Sequence, residues 1–475
     1  MLSLTREQLY LIFDPRLNGN GDHCELTLHE FNRHPNNPVL RATFPWEKRG
    51  MRLGGTVLWE PDNGLFKMWY FAAAGIGYAE SKDGIHWEKP ALGLFDIEGS
   101  EENNICSIGI YTPAVSRNLQ ELDPEKKYVL WGVQTGDAPD GVNSDWCVYR
   151  FFSPDGIRWK RETSTPAIPG YGTNYTPTWP AEPERPLIEG GGGDHSYTYW
   201  FPHLNKFVSF HKVQPPNPRP APGVDTNKTH IRRQFARFES HDGLQWNLNN
   251  PTWAFVPDEI DDQYDPYIQF YGLGMHAVGD FYLATTMLYH TDADNDHLEV
   301  GLAYSTDTFT WHRPFRDQYI LPHGKEGEWD WGQTRQAVNI VEKDDMWWLY
   351  YGGLPCTHYD QRGCGYSGIG LAQMPIGRVI SARSRRSKGK WTVGPLKLSG
   401  RELFINAISF NNLQATILNE QNEPISGFVS TPLRGDGIEL PLKWTSGKDL
   451  SSLGKCNVKV QFDLHDAEIF GFTCR

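Results

Sequence analysis

The chain has 475 residues, of which 58 are acidic and 45 basic, giving a formal net charge of -13. This acidic balance argues against a nucleic-acid partner, while 47 glycines, 33 prolines and 18 tryptophans indicate a turn-rich globular fold. No apolar run approaches the roughly 18 residues of a membrane span, no signal-peptide pattern opens the chain and seven scattered cysteines form no CxxC pair, so we expect a cytoplasmic protein with free thiols and no membrane partner.

The most regular feature of the chain is a recurring heptapeptide. Its copies are SKDGIHW at 81–87, SPDGIRW at 153–159, SHDGLQW at 240–246 and a degenerate STDTFTW at 305–311. A strand-like run precedes each copy, Asp-Gly favours a tight turn, and the Trp can pack back over that turn. Because a catalytic residue is needed once and a structural device in every repeat, we interpret Asp83, Asp155 and Asp242 as turn residues.

A second pattern, a strand, a polar turn and an aromatic strand, recurs from about Gly54 to Gly353. Its five copies are GGTVLWEPDNGLFKMWYF, SRNLQELDPEKKYVLWGV, SYTYWFPHLNKFVSFHK, YGLGMHAVGDFYLATTML and QAVNIVEKDDMWWLYYGG. Five units of about four strands, without long helical periodicities, predict an all-β fold built as a five-bladed β-propeller. In such a fold we expect the first strand of each hairpin to be innermost, with functional residues at its N-terminal end.

The segments between and after these repeats predict loops and a second domain. Two segments, Pro169–Pro186 and Gln214–His230, are too proline-rich for central strands and predict loops. The second loop either covers the channel mouth or lies elsewhere on the surface. A basic, small-residue stretch at Ile380–Lys390 predicts a linker, and short strands with turns follow it. We therefore predict a propeller domain over 1–385 and a C-terminal β-sandwich over 391–475.

The repeated SxDGxxW strands on five predicted blades resemble the superfamily of glycoside hydrolase families 32, 43, 62, 68 and 117. The chain is most similar to bacterial proteins described as glycosyl hydrolase family 32-like, in YAESKDGIHWEKPALGLFDIEGSEENNI and in the tail phrases GPLKLSGRELFINA and ILNEQNEPISGF. This resemblance covers nearly the whole chain and implies a glycosidase. The WMNDPNG-like nucleophile motif of family 32 has only the distant counterparts FDPRLNGNGD and LWEPDNGLF, so we predict turn roles for Asp14, Glu60 and Asp62.

Acidic residues at the starts of the predicted innermost strands are the candidate catalytic groups, because glycosidic cleavage usually needs two carboxyl groups. The third strand offers Asp194 after four glycines, the fourth offers Asp265, and the fifth offers Glu328 and Asp330. We predict that Asp194 and one of Glu328 or Asp330 are the working pair, with Asp265 orienting or tuning them. A turn or loop role is the alternative for each acid.

Polar and aromatic side chains near the same strand starts are candidate substrate ligands. They are Arg52, His195, Tyr267, His276, Trp331, Arg335 and His358. An arginine fork can hold a hydroxyl or a carboxylate, and aromatic rings can stack on a sugar; ion pairs and packing between blades are the alternative roles. By resemblance to neoagarobiose hydrolases, where a His serves as the acid, a channel histidine is a further candidate acid.

These features predict an exo-acting glycosidase that takes an oligosaccharide substrate. The chain has no GxSxG, HExxH or P-loop motif, and we expect no cofactor and no metal. A non-catalytic carbohydrate-binding propeller is the alternative from another class, and a transglycosylase or lyase on the same scaffold is the alternative among enzymes.

Overall fold

A computed structural model describes residues 2–3, 7–48, 50–134, 147–168, 192–215, 217, 231–248, 252–291, 296–358, 367–384, 388–454 and 456–475. Within these ranges helices are short: α1 (Pro45–Lys48), α2 (Asp261–Tyr264) and the 3-10 turns Pro15–Leu17, Pro124–Lys126 and Leu450–Leu453. None of the helices in these ranges is long and apolar enough to cross a membrane. The all-β prediction is confirmed, and both predicted loops lie largely outside the described residues.

Strands make up most of the described chain. They are β1 Leu2–Ser3, β2 Leu9–Leu11, β3 Asn20–Asp22, β4 Cys24–Leu28, β5 Asn32–Arg33, β6 Leu40–Arg41, β7 Val57–Glu60, β8 Leu65–Ala72, β9 Gly75–Ser81, β10 Ile105–Ser107, β11 Ile110–Arg117, β12 Tyr128–Gln134, β13 Cys147–Ser153, β14 Lys160–Arg161, β15 Gly192–Phe201, β16 Lys206–Val213, β17 Gln234–Ser240, β18 Thr252–Phe255, β19 Gln269–Val278, β20 Phe281–Tyr289, β21 Leu298–Ser305, β22 Gln333–Gln336, β23 Val341–Lys343, β24 Met346–Leu354, β25 Gly368–Pro375, β26 Ile380–Ser384, β27 Gly389–Lys397, β28 Leu403–Leu418, β29 Pro424–Val429, β30 Leu433–Pro441 and β31 Val458–Cys474.

The five predicted hairpins each contain antiparallel strands in sequence order. The first three belong to separate four-stranded sheets, β7–β10, β11–β14 and β15–β18. The last two lie in one nine-stranded sheet, in which β21 and β22 meet through the single parallel pair Leu298–Gln333. The N-terminal strands β5 and β6 complete this sheet by pairing with β25.

The first strands of the five hairpins contact one another in a closed cycle. The contacts are Val115 N–H to Thr56 Oγ1, Thr112 Oγ1–H to the Asp194 carbonyl, Tyr197 to the Leu273 backbone, Met275 N–H to the Val338 carbonyl and Val338 N–H to the Gly55 carbonyl. Such a cycle leaves the N-terminal ends of these strands close together, where the sequence predicts the functional residues.

Three of these first strands carry a β-bulge close to their N-terminal end. The pairing register shifts between Tyr111 and Ala114 in β11, between Gly192 and Ser196 in β15, and across Tyr271 in β19. Extra residues in one strand bend it and re-aim the side chains at the bulge, which is why bulges are common beside functional sites. In this protein the bulged residues include Asp194 and Tyr271.

The heptapeptides form turns that dock onto a neighbouring sheet. In the first copy Asp83 Oδ1 accepts the N–H groups of Ile85 and His86, each at 2.8 Å, and the Trp87 indole donates to the Gly84 carbonyl at 3.1 Å. The other three copies repeat the same aspartate hydrogen bonds. The Gly84 carbonyl also accepts a hydrogen bond from the Tyr350 hydroxyl of β24. The heptapeptide therefore has a structural role, as predicted.

The remaining strands form a ten-stranded sheet that draws on both ends of the chain, because β1 to β4 pair with strands from β26 to β31. The linker prediction is wrong for Ile380–Ser384, which is β26. Ile380, Ser381 and Ala382 are fully buried in it, and its single basic residue, Arg383, is exposed. The boundary after 385 and the β-sandwich over 391–475 stay predictions.

The expectation of free thiols holds for part of the cysteines. Among the described residues, Cys24, Cys106, Cys456 and Cys474 are free. Cys356, however, is disulfide-bonded, which sequence spacing did not indicate because no CxxC pair marks it.

Candidate active site

The centre of the candidate site is an ion pair between Asp194 in the β15 bulge and Lys212 near the end of β16. The Lys212 side chain is 1% exposed and that of Asp194 is 22% exposed. Burial alone would raise the pKa of Asp194, but the Lys212 ammonium holds it well below its usual range. Asp194 is therefore ionised at neutral pH, so it can serve as a base or a nucleophile and not as a proton donor.

Two tyrosines from neighbouring first strands border this pair. The Tyr111 hydroxyl accepts a hydrogen bond from Arg52 Nη1 at 3.1 Å. The Tyr271 ring centroid lies 4.1 Å from Lys212 Nζ and 5.5 Å from Arg335 Cζ. Burial and the Asp194 charge raise the pKa of Tyr111 to about 12, so its hydroxyl keeps its proton for hydrogen bonding to a ligand.

Two histidines contact this group, His195 beside Asp194 and His358 beside Tyr271. His195 is 3% exposed; its Nδ1 hydrogen-bonds to Tyr197, and its Nε2 lies 3.9 Å from Asp194 Oδ2. Burial and the nearby Lys212 hold the pKa of His195 well below its ordinary value, so the ring is neutral. His358 Nε2 hydrogen-bonds to the Tyr271 hydroxyl at 3.0 Å.

Asp265 and Tyr267 belong to a second cluster, centred on His290. Its Nδ1 lies 2.6 Å from Asp265 Oδ2 and its Nε2 lies 3.3 Å from Glu299 Oε2. Burial alone would lower the pKa of His290, but the hydrogen bonds to the two carboxylates raise it to about 9. Asp265 Oδ1 also accepts the Tyr267 backbone N–H at 2.8 Å, so Asp265 pairs with this buried cation and Tyr267 helps to hold the Asp265 carboxylate.

The predicted partners of Asp194 make other contacts. Asp330 is 1% exposed, and its Oδ2 accepts from Arg33 Nε and from the Tyr351 hydroxyl, each at 3.0 Å. Glu328 is exposed and accepts the Lys325 N–H at 2.7 Å. Asp330 thus ties the N-terminal strand β5 to β24, and a pairing of either acid with Asp194 stays a prediction.

Two predicted ligands have structural partners of their own. His276 lies five residues beyond Tyr271 towards the far end of β19, with its Nε2 3.0 Å from Glu342 Oε1. The Trp331 indole donates to the Pro355 carbonyl at 2.8 Å. Both side chains therefore have the alternative, structural role that the sequence left open.

The structure thus brings together five of the predicted residues. They are Arg52, Asp194, His195, Arg335 and His358. The same group contains four residues that sequence reasoning missed. They are Tyr111, Lys212, Arg233 and Tyr271.

A usable signal existed for some of the missed residues. Tyr111 and Tyr271 stand at the starts of their strands, as Asp194 does, so their position in the repeat marks them as candidates. Lys212 is a lysine inside the apolar strand run KFVSFHKV, and a buried lysine needs a carboxylate partner.

The arrangement suits a polar ligand. It offers one ionised carboxylate, two protonated phenols and several cationic side chains. No group of three or more His, Cys, Asp or Glu in the described ranges has an arrangement that could hold a metal ion.

Comparison with known sequences gives limited matches. No family model matches the chain. Uncharacterized proteins MT1551 and Rv1502, from two strains of Mycobacterium tuberculosis (CDC 1551 / Oshkosh and ATCC 25618 / H37Rv), are each 28% identical over 111 residues, or 21% of this chain. The matched region spans 31% of the length of each of these relatives.

Comparison with solved structures gives distant similarities. A protein known simply as a glycoside hydrolase is 16% identical with a TM-score of 0.47, over 74% of this chain and 93% of that one. A thermostable family-43 glycoside hydrolase is 12% identical with a TM-score of 0.45, over 75% and 97%. A family 43 arabinoxylan arabinofuranohydrolase from Bacillus subtilis is 11% identical with a TM-score of 0.40, over 94% and 99%. At these scores the similarities carry no argument about activity, and function is argued from the site.

Proposed function

We propose that the protein is a glycoside hydrolase built on a five-bladed β-propeller. In this proposal β19–β21 and β22–β25 count as two blades that share a sheet through one parallel pair. The closed cycle of contacts among the five first strands supports the proposal, since innermost propeller strands surround a common axis. The mouth of the channel is then the end where Arg52, Tyr111, Asp194, Tyr271 and Arg335 lie.

The observation that carries the proposal is the Asp194 carboxylate, which is ion-paired with Lys212 at the start of its strand, among hydroxyl donors. A glycosidase needs such a carboxylate, either to activate water or to attack the anomeric carbon. Tyr111 and Tyr271 are placed to hydrogen-bond the hydroxyl groups of a sugar bound beside it. A second carboxyl group must supply the proton, and Glu328 is the better candidate because Asp330 is occupied by Arg33 and Tyr351.

The test is turnover of oligosaccharides and aryl glycosides by purified wild-type protein and the Asp194→Asn variant. We expect the variant to lose about 100-fold or more of kcat, the scale of acid–base and nucleophilic contributions. Asp242→Asn is the matched control, because Asp242 is a turn acid in a heptapeptide. An Asp194→Asn variant that keeps the wild-type rate would falsify the assignment.

A second candidate is a non-catalytic carbohydrate-binding propeller, and one observation favours it. Wherever the pKa of a carboxyl group is shifted in the described residues it is shifted downward, as in Asp194 and Glu299, whereas a glycosidase acid needs a raised pKa. This candidate predicts saturable sugar binding with no product in the same panel of oligosaccharides and aryl glycosides.

Exo-action stays a prediction. A cytoplasmic location is supported by four free thiols among the described residues and opposed by the disulfide at Cys356.

A further inference from the structure

Two arginines at the proposed mouth lack an acidic partner among the described residues. Arg335 is 3% exposed, and its guanidinium donates to the side-chain oxygen of Gln333. Arg52 donates to Tyr111, while its buried Nε has no hydrogen-bond partner within the described ranges. Neither arginine forms an ion pair with any carboxylate in the described part of the chain, which is unusual because buried charges are normally paired.

The two guanidinium groups also affect each other. Burial, and next to it the charge of Arg52, lower the pKa of Arg335. The carboxylate of this group, Asp194, is already paired with Lys212. Counting Arg52, Arg335, Lys212 and Arg233 against Asp194, the described residues of this group carry a net charge of about +3 at neutral pH, because four cations face one anion. Without a ligand, this excess of buried positive charge is unfavourable.

We propose that Arg52 and Arg335 together hold an oxyanion of the ligand, and that the substrate is therefore an acidic saccharide carrying a carboxylate. A planar guanidinium matches the two oxygens of a carboxylate or a phosphate. The two forks come from neighbouring blades of the proposed propeller and lie beside Tyr111 and Tyr271, whose hydroxyl groups suit the rest of a sugar. The net charge of -13 repels anions at long range, so recognition of an acidic ligand depends on this local excess.

The inference rests on the proposed function, because it names the substrate class of the same site. Two sources share the chemistry: the carboxylate of a uronic acid and free inorganic phosphate. Galacturonate and glucuronate, their neutral counterparts galactose and glucose, and phosphate alone are the probes. Calorimetric titration of the full chain with each probe measures binding without requiring turnover.

We expect a uronate to bind the wild type more tightly than the matching neutral sugar. Arg335→Gln and Arg52→Gln should each weaken uronate binding on the order of tenfold to a hundredfold, the effect of losing one charge-assisted hydrogen-bonding group. Arg401→Gln is the charge-matched control, because Arg401 is 77% exposed and lies in the C-terminal part of the chain. Phosphate binding that depends on Arg335, with no uronate binding, would overturn the acidic-saccharide assignment and give the oxyanion site to free phosphate.

Stability supplies an independent readout that does not need the right sugar. Because Arg335→Gln removes a buried charge that has no carboxylate partner in the described ranges, the ligand-free variant should unfold at the same temperature as the wild type or higher. A large drop in the melting temperature of Arg335→Gln would overturn the inference. Uronate and phosphate binding that is absent, or that is equal in Arg335→Gln and Arg401→Gln, would also overturn it. Cleavage of neutral sugars alone would overturn the acidic-saccharide inference and leave the proposed glycoside hydrolase function standing. Uronate binding without any turnover would overturn the proposed hydrolase function and leave the acidic-ligand site standing.

Discussion

At the scale of single residues, the site is organised by an aspartate whose charge is held by a buried lysine. Lys212 contacts Asp194 from the neighbouring strand, and burial lowers the pKa of this lysine to about 8. The pair keeps a carboxylate ionised in a place where burial alone would protonate it. Removing either partner therefore changes both stability and the protonation of the other.

Lys212→Met leaves Asp194 without its cation, and we expect a loss of unfolding free energy on the order of 3–5 kcal/mol. Asp194→Asn/Lys212→Met should be closer to the wild type than the sum of the single variants, because neither charge is then left alone. Urea denaturation of the four proteins measures this coupling. Additive single effects would show that the pair contributes nothing to stability.

His290 makes stability depend on pH. Its pKa is raised in the folded protein to about 9 from an ordinary value of 6.5, so the stability it contributes is complete below pH 6.5 and disappears as the pH rises through 9. His290→Gln should therefore reduce the free energy of unfolding more at about pH 6 than at about pH 10. An equal reduction at both pH values would contradict a charged His290.

Sequence reasoning succeeded at this scale where a residue type indicated its chemistry. Asp194, after four glycines, and Arg335 stood out as polar residues at strand starts. The same reasoning could not assign partners: Asp330 has the right type and position, yet Arg33, almost 300 residues away in sequence, occupies it. Such long-range contacts leave no local pattern, and the bulges that aim Asp194 and Tyr271 depend on pairing register as well.

At the scale of elements, the heptapeptide turn is the recurring joint between sheets. Gly156 has a φ of +81°, and a Cβ there would lie 2.7 Å from Trp69 Cζ2 of the preceding sheet. The Trp69 indole also donates to the Gly156 carbonyl at 2.6 Å. The close contact between Gly156 and the Trp69 ring and the left-handed backbone at Gly156 both explain why glycine follows aspartate in this turn.

Gly156→Ala should destabilise the protein by a few kcal/mol, since it combines backbone strain of about 1–3 kcal/mol with a clash. Gly93→Ala is the matched control: Gly93 has a φ of +63°, and no described atom lies within 4 Å of the position that a Cβ would take there, so it carries the backbone cost alone. Denaturant melts of both variants give the comparison. Equal losses would mean that the turn does not dock tightly on Trp69.

The repeats also show how far element-level prediction reaches. Both strands of each hairpin were predictable because aromatic strands alternate with polar turns in every copy. The strand β26 was not, since two of the three buried positions in its sequence ISARS are the small residues Ser381 and Ala382. Periodicity reveals an element only where the apolar side chains are large enough to stand out.

At the scale of the whole molecule, the two ends of the chain are joined. Strands β5 and β6 pair with β25, and β1 to β4 enter the ten-stranded sheet with β26 to β31. A division into an N-terminal and a C-terminal block, as the sequence suggested, places β1 to β4 apart from the strands they pair with. The sequence did not predict these pairings because the paired strands are far apart in the chain, and a single sequence does not indicate which distant strands pair.

In the proposed function, Asp194 directs the cleavage of a glycosidic bond by water. The most direct measurement is the mass of the sugars released from an acidic oligosaccharide by the wild type in water enriched in ¹⁸O. We predict products that carry one heavy oxygen, released by the wild type and by Asp242→Asn but not by Asp194→Asn. Unlabelled products would point to elimination or transfer, and binding without any product would establish a carbohydrate-binding protein in place of an enzyme.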